Sequence, residues 1–394
     1  MNSTFESGLD PFDFLEIIRK INIFSITFII ILGLIGHALT TIVYSQKKSR
    51  NNSINLFLLC LAINDSSYLI VHFWEDTVRT IQEIYLKNNS NLEYLINILN
   101  IVDASNFTCI TISYLKYTLR FTSAYLIVAI SIQRLIIVCL PLKNKYKSKL
   151  FAWYCIVIII ICSIISNLWV LFMFKIKSEY DQQMCDVTED WIHIYFKFSL
   201  IYIGLIIVIP IIVIFICNLI IILKTYEANI KLGSLRDKNL NENNTVNEIK
   251  KSGLVTSKTK SSNLLEISNF KPLVSSNISL DAHNRTTSIS NSLYVNSSNT
   301  PHQSKKTTKT LILISFSYPL LCFPHLITWS MFFTHMALSE TSDSSQNTYL
   351  FAWVQITEIF LVLNYSVNSF FYCLSSKLFR SQLKNFFTKF ISNK

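Results

Sequence analysis

Charge is scarce in this chain. Only 15% of its 394 residues are Asp, Glu, Lys or Arg, against about 25% in soluble domains. Glycine and proline are few, six and seven in all, which excludes a collagen-like or loop-rich scaffold. The start lacks a signal-peptide pattern: Met1–Ile18 carries Glu6, Asp10, Asp13 and Glu16, and no cleavage site follows an apolar run. A His-Glu-x-x-His helix, a Gly-x-Ser-x-Gly elbow and a phosphate-cradling glycine loop are all missing, so nothing marks an enzyme. The seven histidines are scattered without metal-ligand spacing. Nine cysteines spread through apolar stretches make no disulfide framework. What the chain has in quantity is apolar side chains, 51% of the total, with a mean hydropathy of +0.39. Those proportions describe a membrane protein.

A helix needs about 20 apolar residues to cross some 30 Å of hydrocarbon. Seven stretches qualify: Ile23–Tyr44, Leu56–Trp74, Cys109–Leu140, Phe151–Phe174, Phe198–Leu223, Leu311–Phe333 and Tyr349–Leu374. The third contains Lys116, Arg120, Gln133 and Arg134, and the seventh contains Gln355, Glu358, Asn364 and Asn368. Such groups are costly in lipid and should turn toward the bundle interior. The fold class is therefore an all-α membrane protein, a seven-transmembrane helix bundle. The segment 375–394 sets Leu378, Phe379, Leu383, Phe386, Phe387 and Phe390 among Lys377, Arg380, Lys384 and Lys389. It forms a short amphipathic eighth helix suited to anionic membrane lipids.

Orientation follows from basic residues in the short loops. Lys47, Lys48 and Arg50 lie between spans one and two, and Lys143, Lys145, Lys147 and Lys149 between three and four, with no acid in either loop. By the positive-inside rule these loops are cytoplasmic and the N-terminus is extracellular. The surplus of positive charge thus follows membrane orientation and does not imply nucleic acid. Residues 1–21 are then an extracellular N-terminus, 22–225 hold helices one to five, and 305–374 hold helices six and seven. Between them, 226–304 is rich in Ser, Asn, Thr and Lys with little apolar periodicity. It suits a disordered third cytoplasmic loop, either a solvated spacer or a segment for phosphorylation and docking. The sequons at Asn2 and Asn88 fall on the glycosylated side, as does that at Asn106, close to the membrane.

Seven helices fit a receptor, a transporter or a light-driven pump. Particular polar residues distinguish them. Span two holds Leu61-Ala62-Ile63-Asn64-Asp65, and span three ends in Gln133-Arg134-Leu135, followed by Val138 and Pro141-Leu142. Cys109 lies 25 residues before Arg134, span five carries Ile209-Pro210 and Cys217-Asn218, and span seven carries Asn364-Tyr365 through Tyr372. This order and spacing resemble the rhodopsin-like G-protein-coupled receptors, of the peptide-receptor type, over nearly the whole chain except the third cytoplasmic loop. There are departures. His37 stands where the family usually has asparagine, Gln133 where it has an acid, Cys322 where it has tryptophan and Ser369 where it has proline. Either Trp153 or Trp169 matches its fourth-helix tryptophan.

The resemblance implies roles. Cys109 and Cys185 form a disulfide over the ligand cavity. Arg134 meets a heterotrimeric G protein, with Pro141, Leu142 and Tyr372 in the same coupling region; the alternative for Arg134 is an arginine snorkelling to the interface. Asp65, Ser123, Asn364 and Asn368 match a sodium-type pocket, holding Na+ or forming a hydrogen-bonded cluster without an ion; no other cofactor is expected. Trp74, Glu75, Asp76, Lys116, Arg120, His325, Trp329 and Glu358 face the cavity. Lys116 and Glu358 either pair with each other or read charged ends of a peptide. A lysine at position 116 would repel the ammonium of a biogenic amine, and span seven lacks the Schiff-base lysine of an opsin. The resemblance and these features imply a plasma-membrane receptor for an extracellular peptide of the neuropeptide type. The alternatives are a transporter, although no inverted repeat is visible, and a decoy with a receptor fold that does not signal.

Overall fold

The computed structural model describes residues 10–46, 52–85, 100–140, 148–179, 182–252, 300–338, 344–375 and 377–392. Asn2, Asn88, Pro141, Leu142 and the two basic loops therefore lie outside the described residues, apart from Lys149. So does the side chain of Tyr372.

The first helix, α1 (Pro11–Ser45), starts well before its apolar span. Asp10 caps it by accepting from the Phe12 amide at 3.0 Å, and Pro11 supplies a preset φ at the first turn. Residues 11–21 are thus helical and continuous with the first apolar span. The extension is held by Phe14 against Tyr349, whose ring centroids are 5.7 Å apart, and by Asn22, whose amide donates to the Gln355 carbonyl at 2.7 Å.

Span two is α2 (Ser53–His72), a π-helical turn at Phe73–Val78, and α3 (Arg79–Tyr85). Span three is α4 (Asn106–Cys139), opened by a capping box between Ser105 and Thr108. Span four is α5 (Lys149–Ser166) with a short turn α6 (Val170–Met173). A hairpin follows, β1 (Phe174–Glu179) antiparallel to β2 (Gln182–Val187), with Ile176 opposite Cys185. Span five is α7 (Ile192–Ile203), a π-helical turn at Gly204–Val208 and α8 (Ile209–Ser252). The last three helices are α9 (Thr300–Leu338), α10 (Ser344–Ser375) and α11 (Lys377–Ser392).

Six of these are long and apolar enough to cross a membrane among the described residues. The remaining one, α9, carries the expected sixth span with Pro319 and Pro324 inside it. Outward-facing Phe24, Phe28, Ile158, Ile165, Ile201 and Phe215 are exposed, as lipid-facing side chains must be. The core gathers Leu61, Tyr68, Leu69, Leu126, Ile130, Ile156 and Ile214. Phe379 of α11 is buried against Tyr44 of α1, their centroids 5.8 Å apart, so the amphipathic helix docks by its apolar face. Trp169 lies among Tyr117, Phe198 and Tyr202, whereas Trp153 is 41% exposed.

Proline positions show how backbone polarity is satisfied. Pro210 has no N–H, which deprives a carbonyl in the preceding turn of its donor. Two tyrosines fill that gap: the Tyr318 hydroxyl donates to the Ile206 carbonyl, and the Tyr125 hydroxyl to the Leu205 carbonyl at 3.2 Å. Close helix contact is made by glycine. A Cβ on Gly36 would lie 2.2 Å from the Ser369 hydroxyl oxygen, so only glycine lets α1 approach α10 there.

Residues Ile222–Lys305 form a second compact unit. Within it the helix continues to Ser252, into the segment for which disorder was expected from 226. Glu227 pairs with Lys224 at 2.9 Å and Lys231 at 3.0 Å, helical spacings that a search for apolar periodicity overlooks. Residues 253–299 lie outside the described ones.

Candidate functional site

Three polar regions lie along α4. The first is beneath the hairpin, which is fixed at several points. Cys109 and Cys185 are joined, with Cα atoms 5.5 Å apart. The Cys185 amide donates to Asp103 Oδ1 at 2.7 Å, and Arg79 Nη2 donates to the Cys185 carbonyl at 2.9 Å. Asn106 Oδ1 accepts from the Ile176 amide at 2.8 Å, so the one described sequon on that side spends its amide oxygen on the hairpin.

Below the hairpin the charges assemble differently from the sequence expectation. Lys116 does not pair with Glu358. Its ammonium donates to Asp76 Oδ2 and lies 3.6 Å from Glu75 Oε2. The reason is the π-helical turn at Phe73–Val78, which widens the helix and re-aims Glu75 and Asp76. His72 Nδ1 lies 2.7 Å from Asp76 Oδ2, and Glu358 reaches the same group from α10. Spacing among the seven histidines does not single out His72. The signal was its i,i+4 spacing to Asp76.

One turn further, Arg120 donates through Nε and Nη2 to the Tyr68 hydroxyl, at 3.1 and 3.0 Å. Its guanidinium carbon also sits 5.4 Å from the Tyr68 ring centroid. Arg120, His325 and Trp329 line a cleft partly open to solvent, together with Tyr117, Tyr202 and Tyr318. Cys322, at the usual tryptophan position, is buried in its wall. The eight expected cavity residues thus divide. Arg120, His325 and Trp329 line the cleft, while Glu75, Asp76, Lys116 and Glu358 form the charge cluster. Trp74 packs against the small core under the hairpin.

The middle region centres on Asp65, which is 0% exposed. Ser123 donates to its Oδ1 at 2.6 Å and Asn368 to its Oδ2 at 2.9 Å. Asn364 is buried nearby in the chain, yet neither its amide oxygen nor its nitrogen has a hydrogen-bond partner among the described residues. The Asn368 oxygen has none either. His37 Nε2 lies 2.7 Å from the Tyr365 carbonyl, which ties α1 to α10 at the position where the resemblance leads one to expect asparagine.

This geometry puts a buried carboxylate on α2, a disulfide at one end of α4 and an arginine at the other. The family profile described as 7 transmembrane receptor (rhodopsin family) matches residues 37–372. The chain belongs to that family. A search of curated proteins returned no match. The receptor is accordingly a multi-pass membrane protein.

Its third polar region is at the far end of α4. Arg134 is 8% exposed, forms no ion pair among the described residues, and its Nε has no hydrogen-bond partner there. Gln133 turns away and donates to the Ser53 hydroxyl of α2. An acid at 133 would offer Arg134 a charge partner. The neutral amide fastens α4 to α2 instead.

Proposed function

We propose that this receptor is activated by an extracellular peptide and transmits the signal to a heterotrimeric G protein at the plasma membrane, with its N-terminus outside. The single observation that carries this reading is the contrast along α4. Charged and aromatic groups surround a cleft under a disulfide-fixed hairpin at one end, and Arg134 has no ion-pair partner at the other.

The cleft suits a ligand with both polar and apolar parts. Tyrosine rings and Trp329 offer apolar faces, tyrosine hydroxyls and Arg120 offer polar contacts, and the adjoining cluster of Lys116, Asp76 and Glu75 responds to charged ends. A ligand that binds one arrangement of the helices better than another shifts the population toward it. At the opposite end Arg134 offers its fork of donors to carbonyls of an inserted G-protein helix.

A sodium ion belongs to the same proposal. The Asp65 carboxylate and the unpartnered oxygen of Asn368, which bonds it, offer oxygen donors that suit a hard monovalent cation, and Asn364, one helical turn before Asn368, carries a further unpartnered oxygen. These residues would hold it, and the ion would supply the positive charge that Asp65 otherwise lacks.

Cells displaying the receptor, exposed to a neuropeptide panel with sensors for several G-protein classes, test the reading. A peptide response abolished by Arg134→Ala supports it. A well-displayed receptor silent to the panel, with the same basal signalling as its Arg134→Ala variant, counts against it. A second reading, a decoy that does not signal, rests on the seventh helix. With Ser369 in place of proline, α10 runs from Ser344 to Ser375 without a proline break, and Ser369 lies hard against Gly36.

A further inference from the structure

We propose that His72, Asp76 and Glu358 form a binding site for a divalent transition metal of the zinc type, bridging spans two and seven beside the ligand cleft. His72 and Asp76 are four residues apart on one helical face, the spacing by which a helix presents two ligands to one ion. Glu358 supplies the third from a different helix. Their ligand atoms all lie within 4.8 Å of one another. A tetrahedral zinc ion with bonds of about 2.0–2.2 Å needs its ligand atoms roughly 3.4 Å apart, so a small side-chain adjustment closes the set. Glu358 is placed to make it, because it forms no hydrogen bond or ion pair among the described residues.

His72 is the second, independent observation. Its side chain is fully buried, and neither ring nitrogen makes a hydrogen bond of good geometry among the described residues, although Nδ1 lies 2.7 Å from Asp76 Oδ2 on the side of the proposed ion. A buried imidazole beside two carboxylates is a costly arrangement unless something positive joins it. At present that role is filled by the Lys116 ammonium on Asp76. The lysine has an alternative partner in Glu75, 3.6 Å away. A metal ion entering past the partly exposed Asp76 would transfer Lys116 to Glu75, and every charge would keep a partner. The cluster holds three carboxylates, Glu75, Asp76 and Glu358, against the two cations Lys116 and Arg120, an excess that favours a further cation. One imidazole nitrogen with two carboxylate oxygens selects zinc, nickel or cobalt over magnesium and calcium, which prefer oxygen alone.

The experiment uses the purified full-length receptor in detergent, without agonist, so its outcome is separate from that of the peptide reading. Thermal unfolding is followed with Zn2+, Mg2+ or a chelator, and Co2+ is added as a spectroscopic probe. Zn2+ is expected to raise the unfolding temperature where Mg2+ does not. Glu358→Gln and His72→Asn are each expected to weaken the apparent Zn2+ affinity by roughly tenfold or more. Lys116→Gln, which removes the competing ammonium, is expected to tighten it. The cobalt spectrum should lack thiolate-to-metal charge transfer, which separates this site from binding at free cysteines such as Cys322. If His72→Asn does not fold, Glu358→Gln and Lys116→Gln still decide the matter, because they must shift affinity in opposite directions. No zinc-specific stabilisation of the parent receptor, affinity unmoved by both variants, or a thiolate spectrum overturns the proposal.

Discussion

The two ends of α4 treat positive charge in opposite ways. Under the hairpin, Lys116 has Asp76 and Glu75, and Arg120 has the hydroxyl and ring of Tyr68. At the other end Arg134 is as buried as Lys116 but forms no ion pair among the described residues. A buried charge with a partner is part of the scaffold, and removing one member leaves the other uncompensated. A charge without one adds little to the stability of the resting fold and is available to a partner from outside. The difference separates residues that hold the bundle together from one to which the proposed function assigns transmission.

The largest effect should come from breaking the satisfied end. Asp76→Ala removes the nearer carboxylate from the Lys116 ammonium and leaves Glu75 at 3.6 Å, so it should destabilise by about 3 kcal/mol, the low end of the cost of breaking a buried pair, because Glu75 offsets part of the loss. Adding Lys116→Met should recover much of the loss. Thermal unfolding of the two variants checks both, and a neutral Asp76→Ala would dissolve the contrast between the two ends. Next in size is Cys185→Ser, expected to cost about 2–4 kcal/mol by freeing the hairpin. Reduced surface display and a lower unfolding temperature would be its signs, with Arg79 and Asp103 still bonded to the backbone of residue 185 limiting the damage.

Gly36→Ala tests whether the seam between α1 and α10 is as close as it looks. Its methyl would meet the Ser369 hydroxyl, an overpacking that should cost about 1–3 kcal/mol. Ser369→Gly in the same chain should restore most of that, and failure to do so would locate the strain elsewhere. Last comes Arg134→Ala, which removes a buried charge that has no ion-pair partner among the described residues; it should not lower stability and should abolish any agonist response. A large loss of stability would show that Arg134 is held by the resting fold, and the asymmetry along α4 would then disappear.

Much of the molecule was legible because hydropathy and helix length are properties of consecutive residues. The spans, the amphipathic α11 and the buried position of Asp65 all follow from that. The order of motifs led to the family and, through it, to Cys109 with Cys185 and to Asp65 with Ser123 and Asn368. Less legible was the start of α1. Its first turns interrupt their apolar residues with Asp13, Glu16, Arg19 and Lys20, which hides a span signal, and what holds them is a cap and contacts with a helix more than three hundred positions away.

Sequence alone therefore determined that this chain crosses a membrane repeatedly, which residues would be expensive there, and which family its motifs resemble. The tertiary structure decided which partner each expensive residue takes. Lys116 met Asp76 and Glu75 because a π-helical turn altered the phase of span two. Arg120 met a tyrosine hydroxyl, Gln133 met Ser53, and His72 joined Asp76 and Glu358. A residue's type fixes the cost of burying it, but the group that offsets that cost comes from another helix, and only packing determines which side chain arrives there.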